Sequence, residues 1–218
     1  MILIFDLDDT LYDEFSYVKS GFSAVAFHLT LSYRFNKKTI FNKLIKILKK
    51  NGRGRVFNIL CKDLDIKKKK LPKELVQIYR SHKPIIKLRK ETIQILNYFS
   101  TYKKYIITDG NYLVQSKKVR ALKLKKFFKR FFYTNFYGKT YNKPSLYCFK
   151  KIKEIENVNW NDMVYIGDNP NKDFINCNKK KILTVRLMKG QYKKLKVHKA
   201  HDAKFKIKNL LLLKKIIN

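Results

Sequence analysis

The sequence predicts an α/β fold in which a doubly wound parallel sheet carries a small helical domain inserted after its first strand. Three observations lead to this prediction. Short apolar segments alternate with amphipathic helical segments from residue 92 onward, which is typical of a parallel sheet. An apolar segment at residues 2–5 ends at a cluster of acidic residues. Between these regions, residues 14–84 show only helical periodicity.

The first strand and the inserted helices follow from hydrophobic spacing. Residues 2–5 are continuously apolar, as expected for a buried parallel strand. Apolar residues then recur at steps of three and four, which places them on one face of a helix: Phe15, Val18, Phe22, Val25 and Leu29. Further helices are predicted at residues 40–48 and 56–60, with a break at residues 51–54, and Pro72 opens a fourth.

Helices and strands alternate after Pro84. Helices are predicted at residues 92–99, 112–124, 146–155, 174–178 and 210–217. Strands are predicted at residues 105–108, 131–134, 163–166, 182–187 and 203–207. We therefore expect an α/β core domain made of residues 1–13 and 85–218, and a helical insert made of residues 14–84.

The chain is strongly basic, with 51 lysines and arginines against 16 acidic residues and a formal net charge of +35. Such a charge is typical of proteins that bind nucleic acid or an anionic surface. Lysine greatly outnumbers arginine here, and the basic residues are spread along the whole chain together with many Asn, Ile, Phe and Tyr residues. This pattern favours compositional bias, so we expect no specific nucleic-acid partner, although the positive field attracts anionic substrates.

The composition also argues against several other classes of protein. Cys61, Cys148 and Cys177 are odd in number and lack CxxC spacing, which disfavours a disulfide framework or a zinc site. No uncharged apolar run approaches the roughly 18 residues of a membrane span. We expect a cytoplasmic protein without a membrane partner. The oligomeric state does not follow from the sequence.

Polar clusters follow three of the predicted strands at their carboxyl ends. They are residues 6–10 (Asp-Leu-Asp-Asp-Thr), residues 108–111 (Thr-Asp-Gly-Asn) and residues 167–173 (Gly-Asp-Asn-Pro-Asn-Lys-Asp). Any one of them could be a helix N-cap or a turn. Because the strand ends of a doubly wound sheet meet at one crevice where ligands bind, the three clusters together predict a single functional site.

These clusters resemble the four motifs of the haloacid dehalogenase (HAD) superfamily. Residues 6–10 are similar to its DxDx[TV] motif, Thr108 to motif two, Lys143 with Pro144 to motif three, and Gly167-Asp168 with Asp173 to motif four. The helical insert is similar to the C1-type cap of that superfamily. The resemblance implies a phosphohydrolase with a Rossmann-like core that acts on a small phosphate monoester, either a sugar phosphate or a nucleoside monophosphate.

The resemblance implies a covalent mechanism. Asp6 is expected to attack phosphorus and form an aspartyl-phosphate. Asp8 is expected to protonate the leaving oxygen and then to deprotonate the hydrolytic water. Lys143 would neutralise the phosphoryl charge and keep Asp6 ionised.

A Mg²⁺ cofactor is also implied, because a carboxylate nucleophile and a phosphate group repel each other. Its expected ligands are the carboxylates of Asp6 and Asp168 and the backbone carbonyl of Asp8. Asp173 is expected to act in support of these ligands or through a water molecule.

The phosphate-binding segment departs from the family pattern at one position. The Thr108 hydroxyl and the backbone N–H groups of Asp109 and Gly110 are expected to bind phosphate oxygens. Many relatives have asparagine where this chain has Asp109, and an extra carboxylate beside phosphate is costly unless it turns away or binds another group. The role of the Asp109 side chain stays open, and Asp9 fits a structural turn better than a third catalytic acid.

Alternatives remain at the level of activity. Asp8 argues against a dehalogenase, which has no leaving alkoxide to protonate, and against pump-type ATPases, which usually have Thr there. A phosphomutase of the same superfamily stays possible, because it shares both aspartates and a helical cap. A basic nucleic-acid-binding protein or a nucleic-acid end phosphatase also stays open, since residues 127–133 mix cations with aromatic rings.

The insert is expected to act as a cap. It begins a few residues after Asp8, so its root should lie near the strand-end crevice. A helical cap that closes over the site excludes bulk water and restricts the substrate to a small phosphorylated metabolite. The expected hinges are residues 12–14 and the region around Pro84.

Overall fold

The computed structural model of the protein describes residues 1–217. These residues form two compact units, one made of Met1–Glu14 and the chain from Lys87 onward, the other of Phe15–Ile86. The first unit is α/β and the second is helical.

The α/β unit is built on a parallel sheet, which confirms the predicted fold class. Within residues 1–217 the strands are β1 (Ile2–Phe5), β2 (Lys103–Thr108), β3 (Arg130–Tyr133), β4 (Met163–Gly167), β5 (Leu183–Leu187) and β6 (Phe205–Ile207). Their order is β3-β2-β1-β4-β5-β6, and every neighbouring pair is parallel. The chain therefore winds outward in both directions from β1.

The register places the polar clusters at one edge of the sheet. Ile4 of β1 pairs with Tyr105 of β2 on one side and with Tyr165 of β4 on the other. The carboxyl ends of these three strands are therefore adjacent, and the segments that follow them meet there.

The helical unit has an apolar core of its own. Its helices are α1 (Glu14–Tyr33), α2 (Lys37–Asn51), α3 (Val56–Asp63) and α4 (Leu71–Ser81). Buried residues recur at helical spacing in α1 and α2: Val18, Phe22, Val25, Leu29, Ile40, Leu44 and Ile47. Phe15 does not belong to this face, because it lies in the first turn of α1 and is 39% exposed. The role of this unit as a cap stays a prediction.

The other helices belong to the α/β unit. They are α5 (Lys90–Tyr98), α6 (Tyr112–Ala121), α7 (Thr134–Tyr137), α8 (Tyr147–Glu156), α9 (Ile175–Lys179) and α10 (Lys214–Ile217). The helix predicted to reach residue 124 ends at Ala121, because Lys123 adopts a left-handed backbone conformation with φ 53°. Thr134, predicted as the end of a strand, instead opens α7. The closing helix is shorter than predicted, because Leu210–Leu213 form a 3-10 turn.

One face of the sheet packs against α8, and this packing positions Asp6. Ile4, Tyr105 and Tyr165 lie in one buried cluster with Phe149 and Ile152 of α8. Side chains alternate along a strand, so the residue two positions after Ile4 continues on the same face. Asp6 therefore enters the site from the α8 side of the sheet.

The aromatic and basic segment at residues 127–133 is part of the core. Phe128 and Phe132 are buried, and the Phe128 ring packs edge-on against Phe5 at a centroid distance of 5.8 Å. These two rings are therefore not available for base stacking. In the part of the chain that the structure describes, no helix is long and apolar enough to cross a membrane.

Candidate functional site

A buried lysine connects two aspartates at the carboxyl edge of the sheet. Lys143 Nζ lies 2.7 Å from Asp6 Oδ1 and 2.8 Å from Asp173 Oδ1. It also donates to the Tyr165 hydroxyl at 2.9 Å, and that hydroxyl donates to Asp173 at 3.1 Å. Since a buried ammonium is stable only with such partners, Lys143 is fixed between the two carboxylates.

Asp168 completes a cluster of three buried carboxylates with Asp6 and Asp173. One oxygen of each carboxylate lies within 4.8 Å of those of the other two. Gly167 makes room for this approach, because a Cβ atom there would lie 2.5 Å from Asp173 Oδ2. The backbone N–H of Asn169 donates to that same oxygen at 2.9 Å. The turn after β4 therefore presents Asp168 and Asp173 together, next to the end of β1.

The electrostatics of the cluster are unfavourable for three negative charges. Burial raises the pKa of Asp6 to about 7, with repulsion from Asp173 added and attraction by Lys143 opposing it. Burial, with repulsion from Asp6 and Asp173, raises the pKa of Asp168 to about 9. Lys143 itself is held charged: burial disfavours its ammonium, but the carboxylates of Asp173 and Asp6 outweigh burial and raise its pKa.

The cluster fits a hard divalent cation. Carboxylate oxygens are the ligands that Mg²⁺ prefers, and a divalent charge would relieve the repulsion that raises these pKa values. The carboxylates of Asp6, Asp168 and Asp173 would hold the ion, with Asp173 oriented by its bonds to Tyr165 and to a backbone N–H. A contribution from the Asp8 backbone carbonyl stays a prediction.

The Asp8 side chain has a separate set of partners. Its Oδ1 accepts from Lys118 Nζ at 2.7 Å and from the Tyr12 hydroxyl, and its Oδ2 accepts from Gln115 Nε2 at 2.8 Å. Burial raises the pKa of Asp8, but the Lys118 ammonium and the two neutral donors outweigh burial and hold that pKa below its usual range. The Asp8 side chain is 22% exposed, so part of it is accessible to solvent.

The predicted phosphate-binding segment lies at the end of β2. The Thr108 hydroxyl accepts from Gln115 Nε2 at 2.6 Å. Gly110 has φ +117°, a conformation that favours glycine. Its N–H donates to the Asn135 side chain at 3.3 Å, so a phosphate oxygen bound there would replace that long hydrogen bond.

The Asp109 carboxylate binds protein groups. Its Oδ2 lies 2.7 Å from Lys172 Nζ. Its Oδ1 accepts from the Thr134 hydroxyl at 2.8 Å and from the Lys143 backbone N–H at 3.1 Å. Burial raises its pKa, but Lys143 and Lys172 outweigh burial and lower it. The Asp109 carboxylate therefore binds other protein groups, and Lys172 balances its charge.

Asp9 acts within the turn after β1. It has φ 55°, and its carboxylate accepts from the backbone N–H groups of Glu14 at 3.0 Å and Gln191 at 3.1 Å. Arg89 donates to the Asp9 and Thr10 carbonyl oxygens at 3.1 and 3.0 Å. These bonds brace the segment that carries Asp6 and Asp8.

The sequence did not single out four residues of this site: Tyr165, Lys172, Gln115 and Lys118. Tyr165 lies in the apolar segment that forms β4, where the sequence predicts an ordinary core residue. Lys172 lies inside the polar cluster at residues 167–173, and this position could have identified it as a site residue. Gln115 and Lys118 lie three residues apart on α6, which places them on one helix face, but the sequence does not show what that face contacts.

The chain is similar to known proteins over most of its length. Residues 3–187 match the family model described as haloacid dehalogenase-like hydrolase. A glyceraldehyde 3-phosphate phosphatase of Methanocaldococcus jannaschii is 28% identical over 88% of this chain and 86% of its own. One of the same name from Pyrococcus furiosus is 25% identical over 99% of this chain and 92% of its own.

A solved structure shares the fold. It is a HAD hydrolase of Bacillus subtilis bound to magnesium, with a TM-score of 0.68 and 19% identity over 100% of this chain and 98% of that protein.

Proposed function

Since the chain belongs to the haloacid dehalogenase-like hydrolase family and is a phosphohydrolase, we propose that it hydrolyses a small sugar phosphate, with Mg²⁺, through an aspartyl-phosphate on Asp6. One observation carries the proposal. The buried Asp6 carboxylate lies against the Lys143 ammonium and beside Asp168 and Asp173, which are suited to hold a cation. This arrangement brings a nucleophile and positive charge to one point, as phosphoryl transfer requires.

In the first half of the reaction an Asp6 oxygen bonds to phosphorus while the bond from phosphorus to the leaving alkoxide breaks. Asp8 gives its proton to that alkoxide. Lys118 favours the ionised form of Asp8 in the resting site, but the negative charge of a bound phosphate raises the pKa of a neighbouring carboxyl and so favours the proton donor form. Lys143 balances the negative charge on the phosphoryl oxygens.

In the second half, Asp8 accepts a proton from water as the water oxygen bonds to phosphorus. The bond between phosphorus and the Asp6 oxygen breaks, which restores the Asp6 carboxylate and releases phosphate. A Mg²⁺ ion, when bound, supplies charge that allows a carboxylate and a phosphate to approach each other. The Thr108 hydroxyl and the backbone N–H groups after it hold phosphoryl oxygens in line for both steps.

The substrate class is supported by the two glyceraldehyde 3-phosphate phosphatases, each aligned over most of its length. The net charge of +35 would draw any small anion toward the chain but would not select among anions. We therefore propose a sugar phosphate of a few carbons as the preferred substrate.

A substrate panel tests this proposal. Purified protein with Mg²⁺ should release phosphate from glyceraldehyde 3-phosphate faster than from nucleoside monophosphates, hexose phosphates or 5′-phosphorylated oligonucleotides. The assay should measure free phosphate and isomerised sugar phosphate separately, since a phosphomutase produces the second and not the first. A preference for oligonucleotides, or isomerisation without phosphate release, would contradict the proposal.

Asp8→Asn tests proton transfer to the leaving group. The amide cannot donate a proton to an alkoxide, so kcat for an alkyl phosphate should fall by about 10²–10⁴-fold. The kcat for p-nitrophenyl phosphate should fall less, because p-nitrophenolate needs little protonation to leave. Asp63→Asn, at an exposed position in α3, is a matched control that should change neither rate. An equal loss for both substrates would contradict the donor role.

A further inference from the structure

Two side chains of α6 hold groups from separate strand ends. Gln115 and Lys118 are both buried, and each donates to one oxygen of the Asp8 carboxylate. The Tyr12 hydroxyl also donates to the Asp8 oxygen that Lys118 contacts. Because both carboxylate oxygens accept from protein donors, rotation of the Asp8 carboxylate is restricted, while part of the side chain stays exposed.

Gln115 extends this contact to Thr108. Its side-chain nitrogen carries two hydrogens, so it can donate to Asp8 at 2.8 Å and to the Thr108 hydroxyl at 2.6 Å at the same time. A hydroxyl oxygen that accepts one hydrogen bond still has a hydrogen of its own to donate. Among residues 1–217, the acceptor for that hydrogen is the Asp109 carbonyl oxygen, at a long distance of 3.5 Å. Thr108 therefore keeps a hydrogen that it can donate to a bound phosphoryl oxygen.

A buried lysine and a buried glutamine are unfavourable in a helix that packs against a sheet unless their polar atoms are satisfied. They lie three residues apart, on one face of α6. This spacing directs a charged donor and a neutral donor at the same carboxylate.

We propose that Gln115 and Lys118 are positioning residues for the reaction: Lys118 fixes the Asp8 carboxylate for proton transfer, and Gln115 ties that carboxylate to the phosphate-binding hydroxyl of Thr108. The inference rests on the proposed function and adds two residues that work through Asp8 and Thr108. Neither needs to touch the substrate.

Leaving-group dependence separates this role from a purely structural one. Lys118→Met should lower kcat about 10²-fold for the alkyl phosphate that ranks first in the substrate panel, and at most about 10-fold for p-nitrophenyl phosphate. Lys118→Arg, which keeps a charged donor, should recover part of the lost rate. Lys125→Met makes the same chemical change at an exposed lysine and should leave both rates unchanged.

A double-variant cycle gives the second measurement. If Lys118 acts through Asp8, adding Lys118→Met to Asp8→Asn should lower kcat by no more than about 2-fold. Gln115→Leu should lower kcat and also raise KM for both substrates, because Thr108 loses its orienting donor. If Lys118→Met does not fold, Lys118→Gln replaces it in every comparison.

Equal losses for both substrates, together with additive losses in the double variant, would overturn the positioning role. A different observation would contradict the proposed function itself: wild-type protein that does not hydrolyse p-nitrophenyl phosphate in the presence of Mg²⁺. If the wild type is active and Lys118→Met has the same kcat values as the Lys125→Met control, only the positioning role is contradicted.

Discussion

Asp6→Asn is expected to reduce kcat by about 10⁴-fold or more while leaving the fold intact. The amide has nearly the same shape as the carboxylate, but it is a poor nucleophile and cannot form the acyl-phosphate. It removes one of three crowded carboxylates, and Lys143 keeps its ion pair with Asp173, so the metal-free variant should melt close to the wild type. Steady-state kinetics and thermal unfolding measure the two effects.

The Asp63→Asn variant again serves as the control, since it changes an exposed carboxylate by the same chemistry. A rate for Asp6→Asn of more than a few per cent of wild type would rule out a covalent role for this residue. A variant with lost activity and a collapsed Tm would show damage to the fold and not to the chemistry, and Asp6→Ser would then be compared in its place.

Removal of divalent cations should abolish turnover, and Mg²⁺ should restore it. Asp6, Asp168 and Asp173 bring three buried carboxylates together, and Lys143 bonds to two of them, so this cluster favours further positive charge. EDTA should therefore abolish phosphatase activity. Ca²⁺ should bind but support little turnover, because its larger and looser coordination misplaces the nucleophile. Full activity in EDTA would remove the cation from the mechanism.

The same carboxylates predict how metal binding depends on pH. The pKa values of Asp6 and Asp168, about 7 and about 9, lie above those of the unfolded chain, so the metal-free protein loses stability as pH rises toward 9. Protons compete with Mg²⁺ for these oxygens, so Mg²⁺ should bind more tightly as pH rises. The increase in Tm caused by Mg²⁺ should be larger near pH 9 than near pH 6. Asp168→Asn should remove most of the Tm increase that Mg²⁺ causes. A Tm increase that does not depend on pH would contradict the proposed competition between protons and Mg²⁺ for these carboxylates.

The sequence predicted those parts of the site that follow directly from strand ends. Parallel strands bring their carboxyl ends together whatever the details of packing, so clusters after β1, β2 and β4 had to meet. Asp6, Thr108 and Asp168 were therefore predicted to lie at one edge of the sheet. It also predicted most helices, because hydrophobic spacing reports directly on a buried helix face.

Contacts between distant elements do not follow from strand order or hydrophobic spacing. The pairing of Asp109 with Lys172 depends on how two loops pack, and the chain has 51 basic residues from which to choose. The contacts of Gln115 and Lys118 with Asp8 depend on the rotation of α6 about its axis. The early end of α6 depends on one left-handed residue, Lys123, which has no glycine or proline to mark it.

We predict that Asp6 becomes phosphorylated during turnover. The most direct measurement is to mix the wild type with substrate and Mg²⁺, quench with acid, reduce with borohydride and sequence the first peptide by mass spectrometry. Borohydride reduces an aspartyl-phosphate to homoserine, so we predict homoserine at position 6 in the wild type with substrate and none without it. A fully active enzyme in which Asp6 stays unmodified, or in which homoserine replaces a different aspartate, would show that Asp6 is not the nucleophile.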